Sequence, residues 1–266
     1  MSKISNAIKE VHFIDNKANN NKFLNKIHPL VKLIITIIYI VLLTSINKYD
    51  LITTLTMSIY LWFISLLGEI SIRRVIERLK IVFLLLIILG IANPILDRNV
   101  IFYIGIIPVT TGIISMLTLI LKGFFTVIAS YFLITTTSIE NICSALKMLH
   151  IPNILITVIM LIYRYIIVFF KEVERIWTAY QMRAPKQNGV NFKAWGSMIG
   201  SLMIRSIDKA QIVYESMELR GFNPETFFVK TQKITKRDVL YLIIGMVLLV
   251  TIRWIPIFEL VGNLFV

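Results

Sequence analysis

Two arginines stand where an arginine can act on another molecule. Arg183 is followed by Ala184 and Pro185, and Arg220 by Gly221 and then Pro224. A proline pushes the residue before it out of the α region, and a glycine just past the last helical turn is the usual stop. Both arginines are therefore expected at helix C-termini, where a cation complements the dipole by about 0.3–1 kcal/mol at an exposed site. The guanidinium also carries a rigid donor fork that grips a carboxylate through two parallel bonds, which lysine cannot do. An arginine at the tip of a stiff helix can serve as a handle for a partner. Taken singly, each is equally an ordinary dipole-complementing residue on a solvated end.

Other chemistry is thin. No Gly-x-x-x-x-Gly-Lys-Ser/Thr run occurs, so the chain has no P-loop for ATP, and Gly-x-Ser-x-Gly and His-Glu-x-x-His are absent too. His12, His28 and His150 have no histidine or cysteine at ligand spacing, and the single Cys143 excludes an intrachain disulfide and cysteine-rich metal sites. Three further cations stand out: Lys122 and Arg164 inside apolar blocks, and Arg205 between the two helix ends. A charge at mid-membrane costs from about 2.5 to over 10 kcal/mol, so Lys122 must face the bundle or a wet crevice. Contact with a partner is its alternative role. Arg164 is a candidate for bonding carbonyls at an elbow between membrane and cytoplasmic helices.

The elements that hold these residues are those of a membrane protein. Of the 266 residues, 57% are hydrophobic and only 16% charged, with a mean hydropathy of +0.78; a water-soluble domain carries about a quarter charged residues. Crossing the hydrocarbon core takes roughly 20 mostly apolar residues. Apolar blocks run over 30–46, 51–67, 81–92, 112–134 and 239–260. The third is short and requires either that Pro94 break a span that resumes or that the helix tilt against its neighbours. The first 28 residues are polar and carry no apolar leader core, so the first span is expected to be its own insertion signal.

The block 154–170 is ambiguous, and the net charge of +13 helps to place it. Lysine and arginine accumulate in cytoplasmic loops. If 154–170 lies along the inner interface and the N-terminus is cytoplasmic, only Lys48, Arg98, Lys122 and Arg253 of the 28 basic residues fall elsewhere. A sixth crossing would carry the basic run 171–237 outside. The reading is thus an all-α integral membrane protein with five spans, and the positive charge signals the positive-inside bias, not nucleic acid. Its parts are a polar cytoplasmic segment 1–27, spans one to four over 28–135, a cytoplasmic helical region 136–237, and a last span in 238–266.

Within 136–237, apolar residues recur at helical spacing. Val173, Ile176, Trp177 and Tyr180 form one stripe, and Ile199, Leu202, Met203, Ser206, Ala210, Val213 and Met217 another. Thr135, Thr136, Thr137 and Ser138 are expected to satisfy backbone groups where the fourth span ends.

Four motifs in order resemble the T component of energy-coupling factor (ECF) transporters. They are Ile27-His28-Pro29-Leu30-Val31-Lys32; Thr135-Thr136-Thr137-Ser138-Ile139-Glu140 with Ala145-Leu146 and Ile151-Pro152; Tyr163-Arg164-Tyr165-Ile166 leading to Gln181-Met182-Arg183-Ala184; and Arg205-Ser206 continuing to Glu215 through Phe222. The resemblance covers about 25–225. It implies that Met182-Arg183-Ala184 and Leu219-Arg220-Gly221 are the paired X-Arg-X motifs with which two coupling helices dock into two ATP-binding-cassette ATPase subunits. The first keeps the arginine but not the frequent Ala-Arg-Gly form. The resemblance also implies a second partner, a small integral membrane subunit that binds the substrate, and no cofactor on this chain, ATP and Mg being held by the ATPases. The implied setting is the plasma membrane of a prokaryote. The implied role is non-catalytic coupling, closer to the cobalt and nickel (CbiQ-type) branch, with a vitamin-serving T component as the alternative. A secondary transporter would show inverted repeats and a polytopic enzyme clustered acids or histidines; neither pattern is visible.

Overall fold

The computed structural model describes Leu24 and residues 27–68, 75–76, 80–97, 100–104, 107–185, 189–223 and 234–254. The expectations for the polar N-terminal segment, the basic patch Arg73, Arg74 and Arg78, Arg98, Pro224, Lys233 and the end of the last span lie outside these residues. The described chain falls into two compact units, one of 24–138 with 234–254, the other of 139–223.

The first unit is a helical bundle. Helix α1 (Pro29–Thr44) begins with proline in its first turn, where the missing N–H would be unpaired anyway. The His28 ring Nδ1 accepts from the Leu30 N–H at 3.2 Å as its cap. Asp50 caps α2 (Leu51–Thr56), accepting from the Thr53 N–H at 3.0 Å, and α3 (Ser58–Gly68) continues after Met57. Helices α4 (Lys80–Gly90) and α5 (Ala92–Leu96) are the broken third span. The break falls at Gly90-Ile91, three residues before the expected Pro94, which sits in the first turn of α5 where proline is tolerated.

Between α5 and the long α6 (Thr111–Thr136) the otherwise helical chain inserts an antiparallel hairpin, β1 (Val100–Ile104) with β2 (Ile107–Thr110), in the register Ile104↔Ile107. The unit ends with α10 (Lys236–Trp254). Helix α6 packs against α1 to α5, and α10 against α1.

The core runs along α1, α3, α6 and α10, with Val31, Ile35, Tyr39, Leu43, Tyr60, Phe125, Ile128, Phe132 and Leu249 buried together. Tyr39 and Tyr60 stack with ring centroids 4.9 Å apart, and the Tyr39 hydroxyl donates to the Met57 carbonyl at 3.3 Å. Outside this core the helices display isoleucine, leucine and valine to their surroundings, including Val41, Leu66, Leu84 and Ile88. An apolar exterior around an interior holding paired polar groups is what lipid as solvent demands. Helix α6 and the composite 51–68 segment are long and apolar enough to cross a membrane, while α1 and the composite 80–96 segment are apolar but shorter.

The second unit comprises α7 (Ile139–Met148), α8 (Asn153–Arg183) and α9 (Phe192–Leu219). The elbow expected between the block 154–170 and the helix bearing the Val173 stripe does not form. The two make one uninterrupted helix of 31 residues, about 46 Å long at 1.5 Å per residue. Nothing between 153 and 184 is a proline or glycine, so no residue type is present to break it. By length and composition α8 also qualifies as a membrane span.

Candidate functional site

Both arginine-bearing helix ends form where expected, by two kinds of local chemistry. Helix α8 ends at Arg183, and Ala184, ahead of Pro185, leaves the α region at φ −132°, ψ 62°. The Ala184 N–H still donates to the Tyr180 carbonyl at 3.0 Å. Helix α9 ends at Leu219, with Arg220 as its cap and Gly221 at φ +69°. The Gly221 N–H donates to the Glu218 carbonyl and the Phe222 N–H to the Met217 carbonyl, each at 2.9 Å. That pair of bonds is the Schellman closure, and its left-handed residue is why glycine stands there.

The flanking side chains are bare. Met182 is 77% and Leu219 89% exposed, and both arginines are exposed. Each end thus presents an exposed apolar residue beside an exposed arginine. Among the described residues no hydrogen bond or ion pair engages the Arg183 or Arg220 side chain.

Arg205 takes a different place. Its guanidinium pairs with the Glu172 carboxylate, tying α9 to α8, and Arg175 approaches the same carboxylate at 3.4 Å. The Asn191 N–H meets the Tyr180 hydroxyl at 3.0 Å. Residue 180 thus faces 191 and residue 172 faces 205, so the two helices run in opposite senses. Their apolar stripes meet in a cleft of about 140 Å³ that includes Val173, Ile176, Trp177, Trp195, Met198 and Leu202. Within the expected second stripe, Leu202, Ser206, Val213 and Met217 are half-buried, whereas Ile199 and Met203 are 54% and 63% exposed. One neighbouring helix covers a narrower arc than the stripe spans.

Because the helices are antiparallel, their arginine-bearing ends lie on opposite sides of the Glu172–Arg205 pair. Arg183 is 11 residues beyond Glu172 and Arg220 is 15 beyond Arg205, or about 16 Å and 22 Å along their helices. Arg183 lies three residues past Tyr180, at the joined end of the helical hairpin, and Arg220 at the end of the α9 half beyond the pair.

Lys122 and Arg164 separate. The Lys122 ammonium donates to the Ile46 carbonyl just past the end of α1. Arg253 of α10 reaches the same helix end, donating to the Leu42 carbonyl at 2.6 Å. Two cations thus satisfy the orphan carbonyls and the dipole there. Arg164 lies exposed in mid-α8, and with the helix unbroken there is no elbow at that point for it to fix. Thr135 and Thr136 bond back to the Tyr131 and Phe132 carbonyls at 3.0 and 2.8 Å as expected, whereas the buried Thr137 hydroxyl has no hydrogen-bond partner among the described residues.

Sequence reasoning missed two buried contacts. The Lys32 ammonium donates to the Thr136 carbonyl at 2.8 Å, and the Asp238 carboxylate accepts from the His28 N–H at 2.8 Å. Only the charge of Lys32 near the start of an apolar block hinted at the first. Among the described residues no three His, Cys, Asp or Glu side chains gather to hold a metal ion.

The fold defines a helical membrane protein with an exposed arginine at each of two helix ends. The family model described as "Cobalt transport protein" (CbiQ) matches residues 20–229, and the chain belongs to that family of membrane transport components. It is similar to a putative fused cobalt transport protein CbiMQ of Methanocorpusculum labreanum, with 33% identity over 43% of this chain and 20% of that protein. It is also similar to the nickel permease LarQ of Lactiplantibacillus plantarum, with 27% identity over 33% of this chain and 32% of that one. An uncharacterized protein of Methanocaldococcus jannaschii, MJ1571, is 26% identical over 52% of this chain and 48% of its own length. The chain spans about half or less of the length of these relatives.

Proposed function

We propose that this chain is the coupling T component of an ECF-type importer, carrying the movement of two ATPase subunits to a separate membrane subunit that holds the substrate. The observation that carries the reading is the placement of Arg183 and Arg220, exposed at the far ends of two antiparallel helices pinned together between them. Two exposed arginines at opposite ends of a helix pair suit a pair of ATPases that close and part. When the ATPases move, each grips one arginine and the adjoining exposed apolar residue, and the helices pivot about their crossing. The role proposed is mechanical and non-catalytic, with ATP and Mg held by the ATPases; the absence of a P-loop from this chain is in keeping with it.

The cargo favoured is a divalent cobalt or nickel ion, in keeping with the names of the relatives. The setting is the plasma membrane of a prokaryote, N-terminus inside, with the apolar half of α8 lying along the inner interface. The charge distribution supports that orientation, since it keeps 171–237 with the ATPases.

The test is the Arg183→Ala, Arg220→Ala double variant in the assembled complex. The expected result is loss of the ATPase subunits on co-purification and loss of ATP-driven uptake, with membrane insertion unchanged. Normal co-purification and uptake would discard the mechanism.

A further inference from the structure

We propose that Lys32 is a positioning residue for coupling: it pins the last carbonyl of α6 to the start of α1, making a fixed point from which the coupling helices are moved. The inference rests on the coupling role proposed above, and the geometry behind it lies within the membrane bundle. Lys32 is 7% exposed and donates to Thr136, the final residue of α6, at 2.8 Å. A helix's last carbonyls have no partner within the helix, and a threonine, glycine or water would satisfy one more cheaply than a buried ammonium. Burying a charge to hold a single carbonyl makes sense where the position of that carbonyl matters.

The ammonium has company. The Asp238 carboxylate, itself 6% exposed, interacts electrostatically with Lys32. Its oxygens accept from the His28 N–H at 2.8 Å and from the Thr235 N–H and hydroxyl at 2.8 and 2.6 Å. Three helix ends are thereby joined at one face of the bundle: the starts of α1 and α10 and the finish of α6. A cavity of about 30 Å³ beside Lys32, bordered by Thr36, Tyr60 and Tyr241, has room for a water on its remaining donors. Only Thr137 and Ser138, both buried, separate this clasp from Ile139, where the unit carrying the coupling helices begins. A push delivered to Arg183 or Arg220 does work on a partner only if the chain is held somewhere. An unclasped α6 end would yield instead.

The experiment uses the full chain with its ATPase and substrate-binding subunits in liposomes, measuring ATP hydrolysis and uptake of cobalt(II) ions together. Lys32→Met keeps the length of the side chain and removes the charge. Its ATPase subunits are expected to stay bound and to hydrolyse ATP within about twofold of the parent, while cobalt taken up per ATP falls about tenfold or more, the scale of losing a hydrogen bond to a charged group. Lys32→Arg, which can still reach a carbonyl, is expected to restore most of the ratio. Hydrogen exchange at 134–138, measured on the full chain alone in lipid, is expected to quicken in Lys32→Met and not in Lys32→Arg. Unchanged uptake per ATP in Lys32→Met would overturn the proposal. So would parallel loss of uptake, hydrolysis and folded complex in both variants, which would reduce Lys32 to a stabilising residue. Failure of the coupling reading shows elsewhere, as ATPases retained by the double arginine variant, while the exchange measurement still decides whether Lys32 holds α6.

Discussion

Arg205 and Glu172 form an ion pair across two antiparallel helices whose opposite ends carry the arginine handles. The pair, the Tyr180–Asn191 bond and the apolar cleft hold the two helices together. The Glu172 carboxylate is half-buried, with the cations Arg175, Arg205 and Lys209 around it. Arg205→Glu sets two carboxylates face to face, and Glu172→Arg adds a fourth cation to three. Each single change is expected to lower ATP-driven uptake by roughly two- to fivefold, the scale of an exposed pair, while leaving ATPase binding in place. Combining them should recover only part of the loss, because Arg175 then faces an arginine. The check is a double-mutant cycle on uptake rates. Strict additivity of the two losses would show that the pair does not help to hold the helices together.

How much of this was legible in the sequence depends on distance along the chain. Helix ends were readable because their chemistry is local: Pro185 acts on Ala184, and Gly221 supplies the left-handed residue of its own turn. Contacts such as Lys32 with Thr136 and His28 with Asp238 join residues more than a hundred apart, and no spacing rule connects such partners. The division of α8 failed for another reason. The shift from apolar to charged residues at 171 changes the solvent the helix faces and not whether it continues. The hairpin after α5 gives no sequence signal because its strands are only five and four residues long and follow a helix interrupted at Gly90-Ile91.

Close approach between helices gives a prediction independent of function. A Cβ on Gly112 would lie 2.4 Å from the Asp97 carbonyl oxygen and 2.7 Å from that of Asn93. These are backbone atoms of the α5 end, which is further bound by the Thr111 hydroxyl and the Tyr49 phenol donating to the Asp97 carboxylate at 2.8 and 2.7 Å. On Gly123 a Cβ would also come within 2.4 Å of a neighbour, but that neighbour is the Leu86 side-chain tip, which can rotate away. Gly112→Ala is expected to destabilise the bundle at the upper end of the about 1–3 kcal/mol range for overpacking, and Gly123→Ala at its lower end or below. Thermal unfolding of the two variants in one detergent gives the comparison. The reverse order would mean that the α5 end yields more readily than a leucine.

The left-handed turn at Gly221 links backbone strain to the proposed docking of Arg220. Its φ of +69° costs a residue with a Cβ about 1–2 kcal/mol, less for asparagine, whose side chain bonds locally. Among the described residues no atom lies within 4 Å of where that Cβ would be, so the expected effect is one of backbone conformation. In Gly221→Ala the closure through the Phe222 and Gly221 N–H groups must loosen, and Arg220 loses its fixed direction while keeping its charge. ATPase binding is expected to weaken in the order Gly221→Asn, Gly221→Ala, Arg220→Ala, with Gly221→Asn nearest the parent. Global stability should be almost unchanged, since helix α9 buries no residue. Titrating the ATPase subunits onto each variant in lipid measures the order. If Gly221→Ala bound as tightly as the parent, the direction of Arg220 would be irrelevant, and charge at the helix end would suffice.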